Sequence, residues 1–476
     1  MALGIAVVSL LLLCYLYLKL RAADCAFVEM NQRDWHIHLL PKPSLFARLF
    51  NIIIDKRGAS LLITLLEKTA IASALKKSVR QMEEAEASGR VPAILCDAAA
   101  RQAMRSRLAN YADDMRASVT LNALAKVSNY AGALHYLSNH AGLLKLGAEA
   151  HNEVVRQPVF IVSMPRTATT ILHRTLATDT SRWRAFDLAD MIMPLPPIPR
   201  SDRARRDQLA EKVQKNFIEP LKRIYPGWYE CLETMHAMKP NQVDEDLGIY
   251  DSGLGFGYQD TLMLLYPEQR ARGMPLESAE LAAYRYAWLD MVMRIHQTLE
   301  PDSDKTWLMK DPNHTAFLPQ LRQQFPDARF IFTHRPPREI LPSMAKLFVV
   351  FTCIFVEPGA PGTTSAEWGQ YALEKTNFFL SGIVDYTKAN PPDEDHRIDF
   401  LFSELAPNMV ECIGRIYEMC FDEKPTAEAK AAMQAYLDDH KRDKKGNQPR
   451  SLQDFHLTEA KIAFEEYSNM FLRDSV

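Results

Sequence analysis

Between residues 306 and 335 two short apolar runs, TWLMK (306–310) and RFIFTHR (329–335), flank a helical stretch, TAFLPQLRQQF. Strand, helix and strand in so little chain make a βαβ unit, and such a unit implies a parallel sheet. A third apolar run, PVFIVSM (158–164), leads through a turn into the helical ILHRTLAT. Three parallel strands joined by helices place the chemistry at their carboxyl ends. The fold expected is α/β, a central parallel sheet flanked by helices. Residues 60–150 are rich in Ala, Leu, Lys and Glu and read as several helices, as do 202–238 and 275–299. MPLPPIPR (193–200) must be a loop.

The first turn reads Ser163-Met164-Pro165-Arg166-Thr167-Ala168-Thr169-Thr170. A turn between strand and helix aims free backbone N–H groups and the positive end of the helix dipole at an anion. The hydroxyls of Thr167, Thr169 and Thr170 add donors, and Arg166 adds a forked charge. This is no Walker A loop, because the GxxxxGK[ST] spacing is absent. A second anion site is expected where the strand ending in Arg335 meets a helix carrying Ser343. Between the two lies Lys310-Asp311-Pro312-Asn313-His314, at the end of another strand and facing the same cleft.

IVSMPRTATTILHRTL resembles the 5′-phosphosulfate loop of sulfotransferases that use 3′-phosphoadenosine-5′-phosphosulfate (PAPS), in the branch reading roughly G-x-P-R-[ST]-G-[ST]-[ST]-L-L-H. Ser163 and Ala168 stand where that branch carries glycine, so a positive φ at Ala168 would cost strain. FPDARFIFTHRPPREILPSMAKL is similar to the family's 3′-phosphate motif, with Arg335 and Ser343 matching and Pro336 replacing its Asp. Lys310, Pro312 and His314 match a Lys-x-Pro-x-His element.

The resemblance implies a P-loop-like sheet, PAPS as co-substrate, and in-line transfer of a sulfonyl group to a hydroxyl or amine. Arg166 and Thr167, Ala168, Thr169 and Thr170 would hold the phosphosulfate, and Arg335 and Ser343 the 3′-phosphate. Lys445, Gly446 and Arg450, in a basic glycine loop, would cover the nucleotide. His314 is the expected base, with Lys310 and Arg166 as cations at the reacting centre. His236 and Glu230 are reserve bases, while Asp244, Glu245 and Asp246 read as a solvated charge run. Two competitors are a P-loop kinase or NTPase and a catalytically silent nucleotide-binding membrane protein of the same fold.

Hydrophobic residues make up 47% and charged residues 24%, a globular balance that excludes a disordered or fibrous chain. A net charge of -3 argues against a nucleic-acid partner. The seven cysteines form no CxxC pair, so neither a zinc site nor a dense disulfide framework is expected, and no metal is implied. Ala2 to Leu18 carry no charge and read as a single-pass anchor, with a cleaved signal peptide as the rival. Basic residues after the run place the body in the cytoplasm; family habit places it in the lumen of the Golgi or another endomembrane. The division expected is an anchor over 1–21, a helical region over 22–154 and a sulfotransferase domain over 155–476. Residues 44–75 read as helices lying on the membrane or packed in a core. A lipid or glycan acceptor follows from proximity to the membrane.

Overall fold

The computed structural model describes Leu16, Lys19, Leu20 and residues 43–233, 235–250, 252–253, 279–300, 304–357, 360–392, 396–440, 451–458 and 464–472. The expected anchor, apart from Leu16, Lys19 and Leu20, lies outside the described residues, as does the basic loop with Lys445, Gly446 and Arg450.

Before the first strand the chain is helical: α1 (Leu45–Ile53), α2 (Lys56–Leu66), α3 (Ala72–Ser88), α4 (Ala98–Ala117) and α5 (Ala123–Glu149). Side-chain caps set their starts. Ser44, Asp55, Asp97 and Asn122 each accept a hydrogen bond from a first-turn N–H of α1, α2, α4 and α5, satisfying a donor the helix itself leaves open. A π turn over Glu67–Ile71 joins α2 to α3 without a break. Lys56–Ser88 is the one helix among the described residues long and apolar enough to cross a membrane by length and composition. Its Ile63, Ile71 and Met82 are nevertheless buried in the main core.

Five parallel strands follow: β1 (Val159–Ile161), β2 (Trp183–Arg184), β3 (Thr306–Lys310), β4 (Arg329–His334) and β5 (Arg397–Leu401), in the order β2-β3-β1-β4-β5. β1 is central, with Val159 opposite Leu308 on one side and Arg329 on the other. All three β1 side chains are buried, as a strand covered on both faces requires. The chain leaves β1 for one side of the sheet and later crosses to the other, so the turn after β1 sits where the strand order reverses. α6 (Thr169–Leu176) starts from that turn.

α7 (Ala279–Gln297) contributes buried residues from all round its circumference, including Trp288, Leu289, Met291 and Val292. α8 (Pro337–Thr352) begins with a proline in its first turn. α9 (Ser365–Ala389) opens with a capping box between Thr364 and Glu367. α9 crosses the turn after β3 closely: a Cβ on Gly382 would lie 2.2 Å from the Thr315 carbonyl oxygen. A last helix, α10 (Glu465–Phe471), returns to the sheet. There His334, at the end of β4, bonds the Tyr467 hydroxyl at 2.9 Å and Asp399 at 2.7 Å, and stacks on Phe471. One continuous core runs from Ile63 and Met104, through α5 and α7, to Phe160 and Phe330 in the sheet.

Candidate active site

The turn after β1 is pinned from beneath by hydroxyls. Ser163 Oγ accepts from the Thr333 backbone N–H at 2.6 Å. Thr167 Oγ1 donates to the Met164 carbonyl at 2.7 Å and meets Thr333 Oγ1 at 2.7 Å. Ser163 therefore turns inward against β4 and does not obstruct an approaching ligand. The expected role of the Thr167 hydroxyl as an anion donor is corrected in the same way, since it is buried and bonded within the turn.

Arg166 and Ala168 take φ values of 69° and 71°. This is the strain anticipated for an alanine where the family pattern has glycine. No side chain caps α6, and the N–H groups of Thr169, Thr170 and Ile171 have no acceptor within the helix. Ala168→Gly should raise stability by about 1 kcal/mol by removing the left-handed penalty on a Cβ. A denaturant midpoint that fails to rise would show that the turn carries no such strain.

The two basic motifs meet. Arg166 Nε donates to Ser343 Oγ at 2.8 Å, and Arg166 Nη1 donates to the Met235 carbonyl at 3.0 Å. Arg335 Nη1 donates to the Arg166 carbonyl at 2.9 Å, and its guanidinium lies over the Phe402 ring at 4.2 Å. Lys310, 2% exposed at the end of β3, donates to Thr170 Oγ1 at 3.1 Å and pairs with the Glu245 carboxylate.

Asp244, Glu245 and Asp246 are no solvated run. The Asp246 N–H bonds the Lys310 carbonyl at 3.2 Å, and Asp244 and Asp246 are buried. Asp244 holds His236 Nε2 at 3.2 Å and Arg174 at 3.4 Å. Burial alone would raise the Asp244 carboxyl; the His236 imidazole, Arg174 and Lys310 outweigh it and hold it well below the usual carboxylate range.

His314, 1% exposed, bonds Asp246 at 3.2 Å and the Tyr286 hydroxyl at 3.2 Å, with its ring edge-on to Phe160. Burial works against its charge, and Asp246 outweighs burial, so the imidazole is held above its ordinary value. Asp311, beside it, is pushed up to about 7 by burial and by Asp246 and Glu245. Its Oδ1 accepts from the Asn313 N–H at 2.9 Å, while its buried Oδ2 has no hydrogen-bond partner.

Both shifts act on stability in the same direction. Folded Asp311 keeps its proton above the unfolded value of 3.8, so a penalty builds as pH rises from there to about 7. Folded His314 also holds its proton more tightly than when unfolded. Its ion pair therefore contributes fully below pH 6.5 and fades as pH climbs through the raised value. Asp311→Asn should lift the melting temperature at pH 8 more than at pH 5. Equal gains at both pH values would show that Asp311 is not the group responsible.

A cavity of about 470 Å³ opens beside the turn. Pro165, His236, Asp244, Glu245, Pro312 and Asn313 are part of its wall, with mostly apolar side chains from α5, Leu188–Ile192, the helix Trp228–Glu233, α8 and α9, and with Asn129, His135, Thr352 and Lys375 among them. His314 lies beneath this wall rather than on it. Glu230, the other reserve base, is exposed and is not on the wall either. Sequence reasoning missed Glu245 and the Asp244–His236 pair.

A profile of the sulfotransferase family matches residues 158–421, more than half of the chain. The chain belongs to the sulfotransferase family. Among solved structures, this sulfotransferase is similar to sulfotransferase STF9 from Mycobacterium avium, with a TM-score of 0.64 and 21% identity over 78% of this chain and 91% of that one. It is also similar to sulfotransferase STF1 from Mycobacterium tuberculosis H37Rv, with a TM-score of 0.57 and 21% identity over 77% of this chain and 92% of that one. Those likenesses show the shared fold. No curated protein matches the sulfotransferase. The profile begins at the strand before the turn and ends at Phe421, so it spans every group placed at the cavity's reacting end.

Proposed function

We propose that the sulfotransferase moves a sulfonyl group from PAPS to a hydroxyl or amine. The observation that carries this reading is the junction of the two basic motifs: Arg166 bonds Ser343, and Arg335 bonds Arg166, beside an uncapped helix start and a cavity. The first turn of α6 would bind the 5′-phosphosulfate, and Arg335 with Ser343 the 3′-phosphate. The acceptor oxygen attacks sulfur from the cavity, the new S–O bond forms, and the bond from sulfur to the 5′-phosphate oxygen breaks. Lys310, bonded to Thr170 in that turn, is placed to stabilise the leaving oxygen. The acceptor proton goes to His236, which lines the cavity and is oriented by Asp244. This reading moves the base from His314, which is sealed under the wall, to His236. The uncharged run Ala2–Leu18 supports attachment to a membrane.

Calorimetry tests the donor. Adenosine 3′,5′-bisphosphate should bind more tightly than adenosine 5′-phosphate by tenfold or more, since one charge-assisted phosphate contact contributes about 1.5–3 kcal/mol. Equal affinities would remove the 3′-phosphate site from the proposal.

A further inference from the structure

We infer that the cavity takes a membrane-resident alcohol: one reacting hydroxyl on an extended apolar body. The inference rests on the sulfotransferase reading and names the acceptor class for that site. Polar groups crowd the end near Pro165, while the wall beyond is built by Trp228, Leu232, Leu347, Phe348, Phe351 and Phe379. A sugar buried there would leave most of its hydroxyls without partners, a desolvation loss that an apolar chain does not suffer. The polar side chains elsewhere on the wall are Asn129, His135, Tyr136, Thr352, Tyr371 and Lys375; Thr352 Oγ1 donates to the Phe348 carbonyl at 2.7 Å, and the buried Asn129 Nδ2 has no hydrogen-bond partner. His135 lies 3.1 Å from the Asn139 amide, and the Lys375 ammonium lies 5.2 Å from the Phe379 ring centroid. An apolar chain, by contrast, gains from every methylene it buries against such a wall.

The surface shows where such a molecule would come from. Leu45, Phe46, Ile53, Leu61 and Leu65 are each more than half exposed, all on α1 and α2. The inner face of α1 buries Ala47 in the same cluster as Trp228, Leu232, Leu347 and Phe351, the cavity's own wall. So one helix faces the cavity wall on its inside and presents apolar side chains outside. Lys56 and Arg57, both exposed, lie among those residues, and the uncharged run Ala2–Leu18 precedes them. Apolar residues with basic neighbours suit a bilayer interface with anionic headgroups. The occupant of this face is the lipid surface that also holds the acceptor. In the reaction the alcohol oxygen bonds to sulfur, the donor's S–O bond breaks to leave adenosine 3′,5′-bisphosphate, and the hydroxyl proton passes to His236.

The test uses the full chain and measures binding and transfer separately. Dissociation constants for 1-hexanol, 1-octanol and 1-decanol, taken with adenosine 3′,5′-bisphosphate present, should fall about fourfold per added methylene. Glucose and trehalose should neither bind nor accept label from PAPS. Leu347→Glu should abolish the chain-length trend and leave nucleotide affinity unchanged. If that variant loses nucleotide binding, and so has not folded, Met238→Trp fills the cavity instead and should shorten the longest alcohol that binds. Phe46→Asp and Leu61→Asp, on the exposed face, should lower transfer to decanol held in phosphatidylcholine and phosphatidylserine vesicles and spare transfer to free hexanol. A flat alcohol series, or label on the sugars, overturns the acceptor class while nucleotide binding still stands. Unchanged transfer from vesicles overturns the bilayer source. Failure to bind the nucleotide overturns the sulfotransferase reading itself, whatever the alcohols do.

Discussion

His236→Ala should lower kcat by about 10²–10⁴-fold and leave the affinity for adenosine 3′,5′-bisphosphate unchanged. His236 is on the cavity wall, and its Nε2 lies 3.2 Å from Asp244. In the proposed reaction its loss removes the proton acceptor and leaves the groups assigned to the donor phosphates in place. Asp244→Asn should give a smaller fall of the same kind, because it leaves the ring in place and removes what orients it. His314→Ala should behave differently. It leaves Asp246 buried without its partner, a change that costs about 3–5 kcal/mol in stability. The fraction of the variant that folds should still turn over. Single-turnover rates on folded protein decide between the two histidines: a fast His236 variant beside a dead, folded His314 variant would place the base beneath the cavity.

Lys310→Met should cost about 10²–10³-fold in kcat, the scale seen when one preorganised donor to a developing charge is removed. Met keeps the apolar stem and most of its packing, and drops the ammonium with its contacts to Thr170 and Glu245. Lys310 is nearly sealed, and its ammonium spans Thr170 at the start of α6 and Glu245 on the cavity wall. That position lies between the donor loop and the acceptor space, where charge on the departing oxygen grows during transfer. The loss should appear in kcat and kcat/KM alike, because the contact strengthens only in the transition state. A variant with normal kcat and a raised KM for PAPS would make Lys310 a binding residue.

The parts of the fold legible in the sequence were those written as unbroken apolar runs. VFI, TWLMK and RFIFTH became β1, β3 and β4, each covered on both faces. β2 is two residues long, too short to leave a periodic trace. β5 reads RIDFL, and its Arg397 and Asp399 bond each other at 2.7 Å, so its polar residues hid a strand at the sheet's edge. At the candidate site, Arg166, Lys310, Arg335 and Ser343 were singled out from their resemblance to the family's motifs, and the fold brings Arg166 to Ser343, Arg335 to the Arg166 carbonyl and Lys310 to Thr170. His314 was read from the same motif, but the tight turn over Pro312–Ala316 carries its ring inward to Asp246, Tyr250 and Tyr286. Those partners come from segments far along the chain, and no local pattern announces them. Asp244 and Glu245 were hidden for the opposite reason: charge usually means solvent, and only the tertiary fold buries this run against Lys310 and Arg174.

The core that joins the amino-terminal helices to the sheet has a consequence for how such a molecule can be inherited. α5 contacts α7 so closely that a Cβ on Gly147 would lie 2.3 Å from the Met291 sulfur, and its Leu137, Leu143 and Leu144 share one core with Phe160 and Phe330. A gene rearrangement that delivered the sheet without these helices would deliver a protein with an open flank. The helices and the sheet must therefore travel through duplication and fusion as a single block. Compensating changes between α5 and α7, rather than exchange of whole modules, are the route by which descendants can diverge.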